Sequence, residues 1–333
     1  MKTKNDFKTV IVGGGAAGIM AALRGVLNNE KIVLYLGSGK SRKRSRELWV
    51  SKVENMPGYE HYKKGIVNPN KDTLTWIKES KFAENLEVKR TSVTEITKQD
   101  DGSFKVEDEK GGTQIAYAVV LATGVMDVQP HINGSIEPVL PYANVQLIDY
   151  CIRCDGHHVH QKKTAIIGHS NVAGWIAILL KERYEIPQMV VLTNGEEPEF
   201  SDEVKKLHQV YNVEVEQAAI TDVIGNAKEL ILDGFKLADG KQVESEIAFV
   251  SLGMLVYNEL ATKLGAEVDG RGFVKTNGKG ETSIKGFYAI GDLQADTKKQ
   301  IYTSWDMAVD ALDDIDNKIR RELRQQTLEN FGG

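Results

Sequence analysis

The run Lys8-Thr9-Val10-Ile11-Val12, followed by Gly13-Gly14-Gly15-Ala16-Ala17-Gly18 and then Ile19-Met20-Ala21-Ala22-Leu23, decides the fold. A short apolar, β-branched run reads as a buried strand, the glycines as a turn, and the alanine-rich stretch as a helix start. Gly13, Gly15 and Gly18 match G-x-G-x-x-G in the context that motif requires, after a strand and opening a helix. The first glycine makes the tight turn, the second lets backbone approach a pyrophosphate, and the third packs helix against strand. Free N–H groups at the helix N-terminus then face the phosphate. The loop by itself suits FAD and NAD equally. The next strand, Lys31 to Leu36, ends Tyr35-Leu36-Gly37 without the acidic residue that holds an NAD ribose, which argues against a simple NAD site.

Working outward, Asn70 to Glu84 suits a helix with Leu74, Ile77 and Phe82 facing inward, and Leu86 to Ala122 reads as strands broken at Asp101-Gly102 and Gly111-Gly112. The rhythm then restarts. Thr164 to Ile167 is a strand, Gly168 a turn, Asn171 to Lys181 a helix and Met189 to Leu192 a strand. Two such openings predict an α/β fold with two Rossmann-like nucleotide-binding domains. After Gly253 come a helix (Asn258 to Leu264), a short strand (Gly286 to Ile290) and a long amphipathic helix. That helix carries Ile301, Trp305, Ala308, Leu312, Ile315 and Ile319 on one face. Arg320 to Gly333 is charged and uninformative, and residues 326–333 read as a tail.

The net charge of -5 argues against nucleic acid as a bulk partner, and no apolar run approaches the ~18 residues that would span a membrane. The opening MKTKNDFKTV has no apolar signal region, so the cytoplasm is the expected address.

The sequence holds 2 cysteines, Cys151 and Cys154. One bridge so short cannot staple a chain of this length, and Cys-x-x-Cys in a reducing compartment reads as redox or metal chemistry. Disulfide exchange needs one thiolate to attack and a second to resolve the mixed disulfide, and this spacing supplies both. Asp155 follows and can shuttle a proton. His157, His158 and His160 come next, but Cys-x2-Cys-x2-His-x2-His is tighter than structural zinc spacing, which puts about a dozen residues between ligand pairs. No metal is therefore expected. The histidines read as solvated, or as tuning the thiolate by their partial charge.

These pieces together resemble the low-molecular-weight thioredoxin reductase family, over nearly the whole chain and in the same order. The resemblance rests on the opening loop, Val53-Glu54-Asn55-Met56-Pro57-Gly58, Ala122-Thr123-Gly124, Cys151-Ile152-Arg153-Cys154-Asp155-Gly156, Gly291-Asp292 and Lys299-Gln300-Ile301. It implies FAD bound by Gly13, Gly14, Gly15, Ala16, Ala17 and Gly18, with Asp292 on the ribityl chain and Gln300 and Ile301 at the flavin ring. Asn55, Ala122, Thr123, Gly124 and Gly291 would line the same site, with Val93 near the adenine. It further implies Cys154 facing the flavin, Cys151 attacking an external disulfide and Asp155 moving the proton. The implied layout is an FAD domain of 1–127 and 253–325 with a second domain, 128–252, inserted. A homodimer is implied, and a thioredoxin-like protein or small disulfide as substrate.

The chain departs from that family at its second loop. Where the family reads G-G-G-D/N-S-A, this chain has Gly168-His169-Ser170-Asn171-Val172-Ala173. The family's H-R-R-x-x-x-R run, which grips the 2′-phosphate of NADPH, is replaced by Thr193-Asn194-Gly195-Glu196-Glu197-Pro198-Glu199. Carboxylates there repel a phosphate dianion. NADPH is not the expected reductant; NADH or a protein donor such as ferredoxin is. A dithiol oxidase using oxygen and a flavin redox sensor remain open. The family's G-G-Q-L is also absent, its place taken by the basic run Lys40 to Arg46, and Trp305-Asp306 stand where the family keeps small residues. A basic run either is a solvated face, meets FAD phosphates or docks an acidic protein.

Overall fold

The architecture comes from a computed structural model, which describes residues 3–42, 46–59 and 61–331. The chain divides into two compact units. Unit 1 comprises Met1–Leu48, Lys64–Met126 and Val256–Gly333; unit 2 comprises Trp49–Lys63 and Asp127–Leu255. The chain passes between them at two short strands, Val125–Asp127 and Met254–Val256, which pair with each other.

Unit 1 is built on a five-stranded sheet in the order Phe287–Ala289, Ala118–Leu121, Lys8–Val12, Lys31–Tyr35, Leu86–Lys89, with every pairing parallel. Its strands are continuously apolar because both faces are covered. Successive side chains point to opposite faces. Ile11, Ile32, Leu34, Val120 and Tyr288 pack against the helices Ala16–Leu27, Val67–Glu79 and Ile301–Phe331. Val10, Val33, Val119, Leu121 and Phe287 pack instead on the antiparallel strands Val93–Lys98, Phe104–Asp108 and Thr113–Ala116, through Ile96, Phe104 and Val106. Each large apolar side chain fully buried here contributes about 1.5–3 kcal/mol before the entropy of ordering it.

Unit 2 repeats the plan. Its parallel sheet runs Val213–Glu216, Met189–Leu192, Thr164–Ile167, Ile247–Val250, Ile148–Asp149. Helices Asn171–Arg183 and Asp202–Val210 cover one face, through Ala173, Ala177, Ile178 and Val204. The antiparallel strands Ile220–Asn226, Ile231–Leu237 and Gln242–Glu244 cover the other. The α/β class and the two Rossmann-like units match the sequence reading.

Several boundaries differ from it. The helix expected over Asn70 to Glu84 spans Val67–Glu79, because Ser80 turns extended, with φ -83° and ψ 166°. Ile77 is fully buried, whereas Leu74 and Phe82 are only partly so. The terminal helix continues to Phe331, through most of the residues read as a tail. Trp49–Lys63, expected in the first domain, clusters with unit 2. Among the described residues, no helix is long and apolar enough to cross a membrane.

Candidate active site

In unit 1 the parallel register sets Val12 beside Leu121 and Leu121 beside Ala289. Gly13, Ala122 and Ile290 therefore follow the carboxyl ends of three adjacent strands, the place where open α/β sheets bind ligands. The Gly13 N–H donates to the Tyr35 carbonyl at 2.9 Å. Its φ of +122° is one L side chains rarely adopt, and a Cβ there would lie 2.2 Å from the Ala122 carbonyl oxygen. A Cβ on Gly18 would lie 1.9 Å from the Gly13 carbonyl oxygen. Both glycines are thus fixed by the fold itself. Gly15 is different: nothing lies within 4 Å of its Cβ position, so the space over the backbone is open. Gly15 N-caps the helix Ala16–Leu27, whose first N–H groups lack carbonyl partners within the helix. Glycines held close where the chain turns, and one left bare where it opens, suit a dinucleotide pyrophosphate.

Other residues expected at this site gather in the same unit. The Thr123 hydroxyl donates to the Tyr257 carbonyl at 2.6 Å, fixing the turn that carries Gly124. Gly291 packs so closely on Ala17 that a Cβ would lie 2.8 Å from the Ala17 Cβ. The Asp292 carboxylate accepts from the Arg46 guanidinium at 3.2 Å. Arg46 closes the basic run; Lys43, Arg44 and Ser45 lie outside the described residues. The buried Gln300 precedes the helix Ile301–Phe331, its carbonyl accepting from the Ser304 N–H at 2.9 Å. Beside it, burial pushes the Lys299 ammonium down to about 8, and its Nζ stands 3.9 Å from the Phe273 ring centre. Val93 opens an antiparallel strand and packs on the second core of the unit. Asn55 belongs to unit 2.

The cysteine pair lies wholly in unit 2. Cys151 and Cys154 form a disulfide with their Cα atoms 5.3 Å apart. Cys151 follows the edge strand Ile148–Asp149 and N-caps the short helix Ile152–Asp155. The Cys154 N–H lies 3.2 Å from the Cys151 sulfur, and the Asp155 N–H donates to the Cys151 carbonyl at 2.9 Å. A donor aimed at the sulfur favours the thiolate over the thiol. Gln146 bridges the segments here: its amide nitrogen lies 3.5 Å from Asp155 Oδ1, and its amide oxygen accepts from the Ser51 hydroxyl at 3.0 Å.

The histidines that follow are not simply solvated. His158 is half-buried, its Nδ1 2.8 Å from Asp149 Oδ2 and its Nε2 2.8 Å from Glu54 Oε2. His157 Nε2 reaches the same Glu54 oxygen at 3.0 Å. The Asp149 carboxylate, helped by Glu54, pushes the His158 imidazole up to about 9. Hydrogen bonds from His158 and then His157 hold Glu54 below the usual carboxylate range, while burial raises Asp149. Sequence reasoning missed Glu54 and Asp149. Glu54 was visible as part of the V-E-N-x-P-G resemblance; Asp149 carried only the weak signal of an acid inside an apolar strand.

The second loop, also in unit 2, keeps the backbone plan of the first. The Gly168 N–H donates to the Leu192 carbonyl at 3.0 Å, and a Cβ on Gly168 would lie 2.5 Å from the Ser251 carbonyl oxygen. Ser170 N-caps the helix Asn171–Arg183. The acidic stretch closes onto this loop, with the Glu199 N–H donating to the His169 carbonyl at 2.8 Å. Glu196, Glu197 and Glu199 are all exposed.

Two dinucleotide-type units, one with a disulfide at the carboxyl end of its sheet, have the plan of a flavoprotein disulfide oxidoreductase. The chain belongs to the pyridine nucleotide-disulphide oxidoreductase family, whose model matches residues 7–311. Within that family it is thioredoxin reductase-like. It is 23% identical over 303 residues to a thioredoxin reductase of Treponema pallidum, covering 90% of this chain and 93% of that one. With a thioredoxin reductase of Mycoplasma genitalium the identity is 29% over 320 residues, covering 91% and 95%. The crystal structure of thioredoxin reductase from Streptococcus pyogenes has the same fold. Its TM-score is 0.80 at 21% identity, over 94% of this chain and 98% of that chain.

Proposed function

We propose that this protein reduces a disulfide of a thioredoxin-like protein or small molecule through Cys151 and Cys154, with electrons drawn from a donor other than NADPH. The observation that carries the reading is the bonded Cys151–Cys154 pair with the Cys154 N–H aimed at the Cys151 sulfur. In the reduced pair the Cys151 thiolate attacks the substrate disulfide, forming a mixed disulfide and releasing one substrate thiol, which takes up a proton. The Cys154 sulfur then displaces the second substrate thiol and re-forms the Cys151–Cys154 bond. Two electrons and two protons pass to the substrate, with Asp155 holding a proton next to Cys154. Gly13–Gly18, Thr123, Gly124, Asp292 and Gln300 would hold FAD, which would supply a two-electron relay between the donor and the pair. In this reading Gly15 leaves room for the pyrophosphate and the first-turn N–H groups of Ala16–Leu27 orient it.

The donor assignment rests on the second loop. Ser170 stands where a bare backbone would meet a pyrophosphate, no Lys or Arg occurs between Arg183 and Lys205, and Glu196, Glu197 and Glu199 border the loop. Each missing charge-assisted bond to the 2′-phosphate removes about 1.5–3 kcal/mol. NADH loses less, and a one-electron protein donor such as ferredoxin loses nothing at this loop. Anaerobic stopped-flow mixing with NADPH, NADH and reduced ferredoxin, followed at the flavin band, tests the assignment. Slow bleaching by NADPH is expected; rapid bleaching at micromolar NADPH refutes it. The protein is expected to act as a homodimer in the cytoplasm.

A further inference from the structure

We propose that Glu54, His157 and His158 form a binding site for one divalent transition-metal ion of the zinc class, separate from the cysteines. Glu54 Oε2, His157 Nε2 and His158 Nε2 all lie within 4.8 Å of one another. The two N···O separations are 3.0 and 2.8 Å. Tetrahedral coordination at about 2.0–2.2 Å sets ligand atoms about 3.3–3.5 Å apart, so each imidazole nitrogen needs to move from the Glu54 oxygen by only about half an ångström. Two imidazoles with one carboxylate suit zinc, and they leave a coordination position for water. Half of the His157 side chain is exposed, so that position opens to solvent.

The surroundings support the ligands. Asp149 Oδ2 accepts from His158 Nδ1, and the Asp149 side chain is only 4% exposed. With Nδ1 turned to Asp149, Nε2 is the ring atom that faces Glu54, and His157 is the second imidazole on the same carboxylate oxygen. A buried carboxylate behind a metal-bound histidine also fixes the ring's orientation and raises its basicity. The cysteines are bonded to each other, so in the oxidised protein the site is complete without them. Its composition differs from the Cys-His set that the sequence spacing disfavours. An ion here clamps Trp49–Lys63 to the segment that carries the redox pair.

The test titrates oxidised, full-length protein with zinc chloride alone at pH 7.5, against a chromophoric chelator. One equivalent should bind. His158→Ala and His157→Ala should each weaken binding by at least about tenfold, and Asp149→Asn by about 10–100-fold. His160→Ala and the double variant Cys151→Ser/Cys154→Ser should bind as the parent does. Circular dichroism confirms folding, and His157→Ala, at an exposed position, keeps the test valid should Asp149→Asn fail to fold. Failure of the parent to bind one equivalent overturns the site, as does full binding by both histidine variants. Loss of binding in the double cysteine variant assigns the metal to the thiols and equally overturns it. None of these outcomes depends on the electron donor, so the proposed function stands or falls separately.

Discussion

The two glycine loops are built on the same backbone and finished with different side chains. Gly13 and Gly168 each donate to the second strand of their sheet, to Tyr35 and Leu192, and each sits too close to a neighbouring carbonyl for any Cβ. These contacts hold the strand–turn–helix together whether or not a ligand binds. The difference begins two residues later, where the first loop leaves Gly15 bare and the second places Ser170. It widens after the second strand. In unit 1 the chain runs on through Leu36-Gly37, whereas in unit 2 Glu199 folds back onto His169. The scaffold glycines report fold, and the open glycine with its surrounding charge reports ligand.

The largest effect should come from the chemistry that unit 2 retains. Cys151→Ser should cut thiol release from an external disulfide by about a thousandfold or more, whereas Cys154→Ser should stop after one thiol with the substrate trapped on Cys151 as a mixed disulfide. Dithionite-reduced protein mixed with excess disulfide measures this without choosing a donor. Flavin absorbance should be unchanged, because the flavin loop belongs to unit 1. Near-parental thiol release by both variants would remove the pair from the mechanism.

A large but smaller effect separates the loops directly. Gly15→Val places a side chain in space that is empty in the fold, so the apo-protein should melt near the parent while FAD affinity falls about a hundredfold. Ser170→Val, at the matching position of the second loop, should leave flavin content untouched. Absorbance after desalting and reconstitution distinguishes the two. If Ser170→Val loses flavin, or Gly15→Val keeps it, the contrast between the loops is wrong.

The triple variant Glu196→Gln/Glu197→Gln/Glu199→Gln should raise the rate of flavin reduction by NADPH on the order of tenfold at low salt. Exposed charges contribute only a fraction of a kcal/mol each and are screened, so the gain should shrink as salt rises. NADH, lacking the 2′-phosphate, should gain less. Equal gains would mean that the carboxylates do not face that phosphate.

Much of this contrast was legible in the sequence, because local patterning decides it. A glycine turn after a β-branched run requires no partner to be read, and neither does the helix stripe from Ala308 to Ile319. What stayed hidden depends on long-range partners. Trp49–Lys63 has no periodicity of its own, and its place in unit 2 rests on contacts such as Ser51 with Gln146 and Glu54 with His158. The last turns of the terminal helix read as a tail because their side chains are mostly polar, and the exposed Leu328 and Phe331 do not continue the buried stripe. The histidines read as solvated because the sequence cannot show Asp149 buried behind one of them.

A last and smaller effect concerns the entry to the second strand of each sheet. Glu30 precedes Lys31–Tyr35, and Gln188 holds the matching place before Met189–Leu192. Glu30 is fully buried, and neither carboxyl oxygen has a well-formed hydrogen bond. Burial pushes its carboxyl up to about 8, with the Asp316 carboxylate adding to the rise and Lys4 and the Asn28 side chain opposing it. The native state therefore holds a proton that the unfolded chain releases near 4.5, and its stability falls as pH climbs from about 4.5 to about 8. The slope from one such group is at most about 1.4 kcal/mol per pH unit, and about 1 kcal/mol between pH 6 and pH 7 is a fair expectation. Glu30→Gln cannot ionise, so its melting temperature should match the parent near pH 4.5 and exceed it increasingly toward pH 8. Thermal melts of the two proteins across that range measure the divergence, and parallel curves would show that Glu30 finds a partner in its charged form.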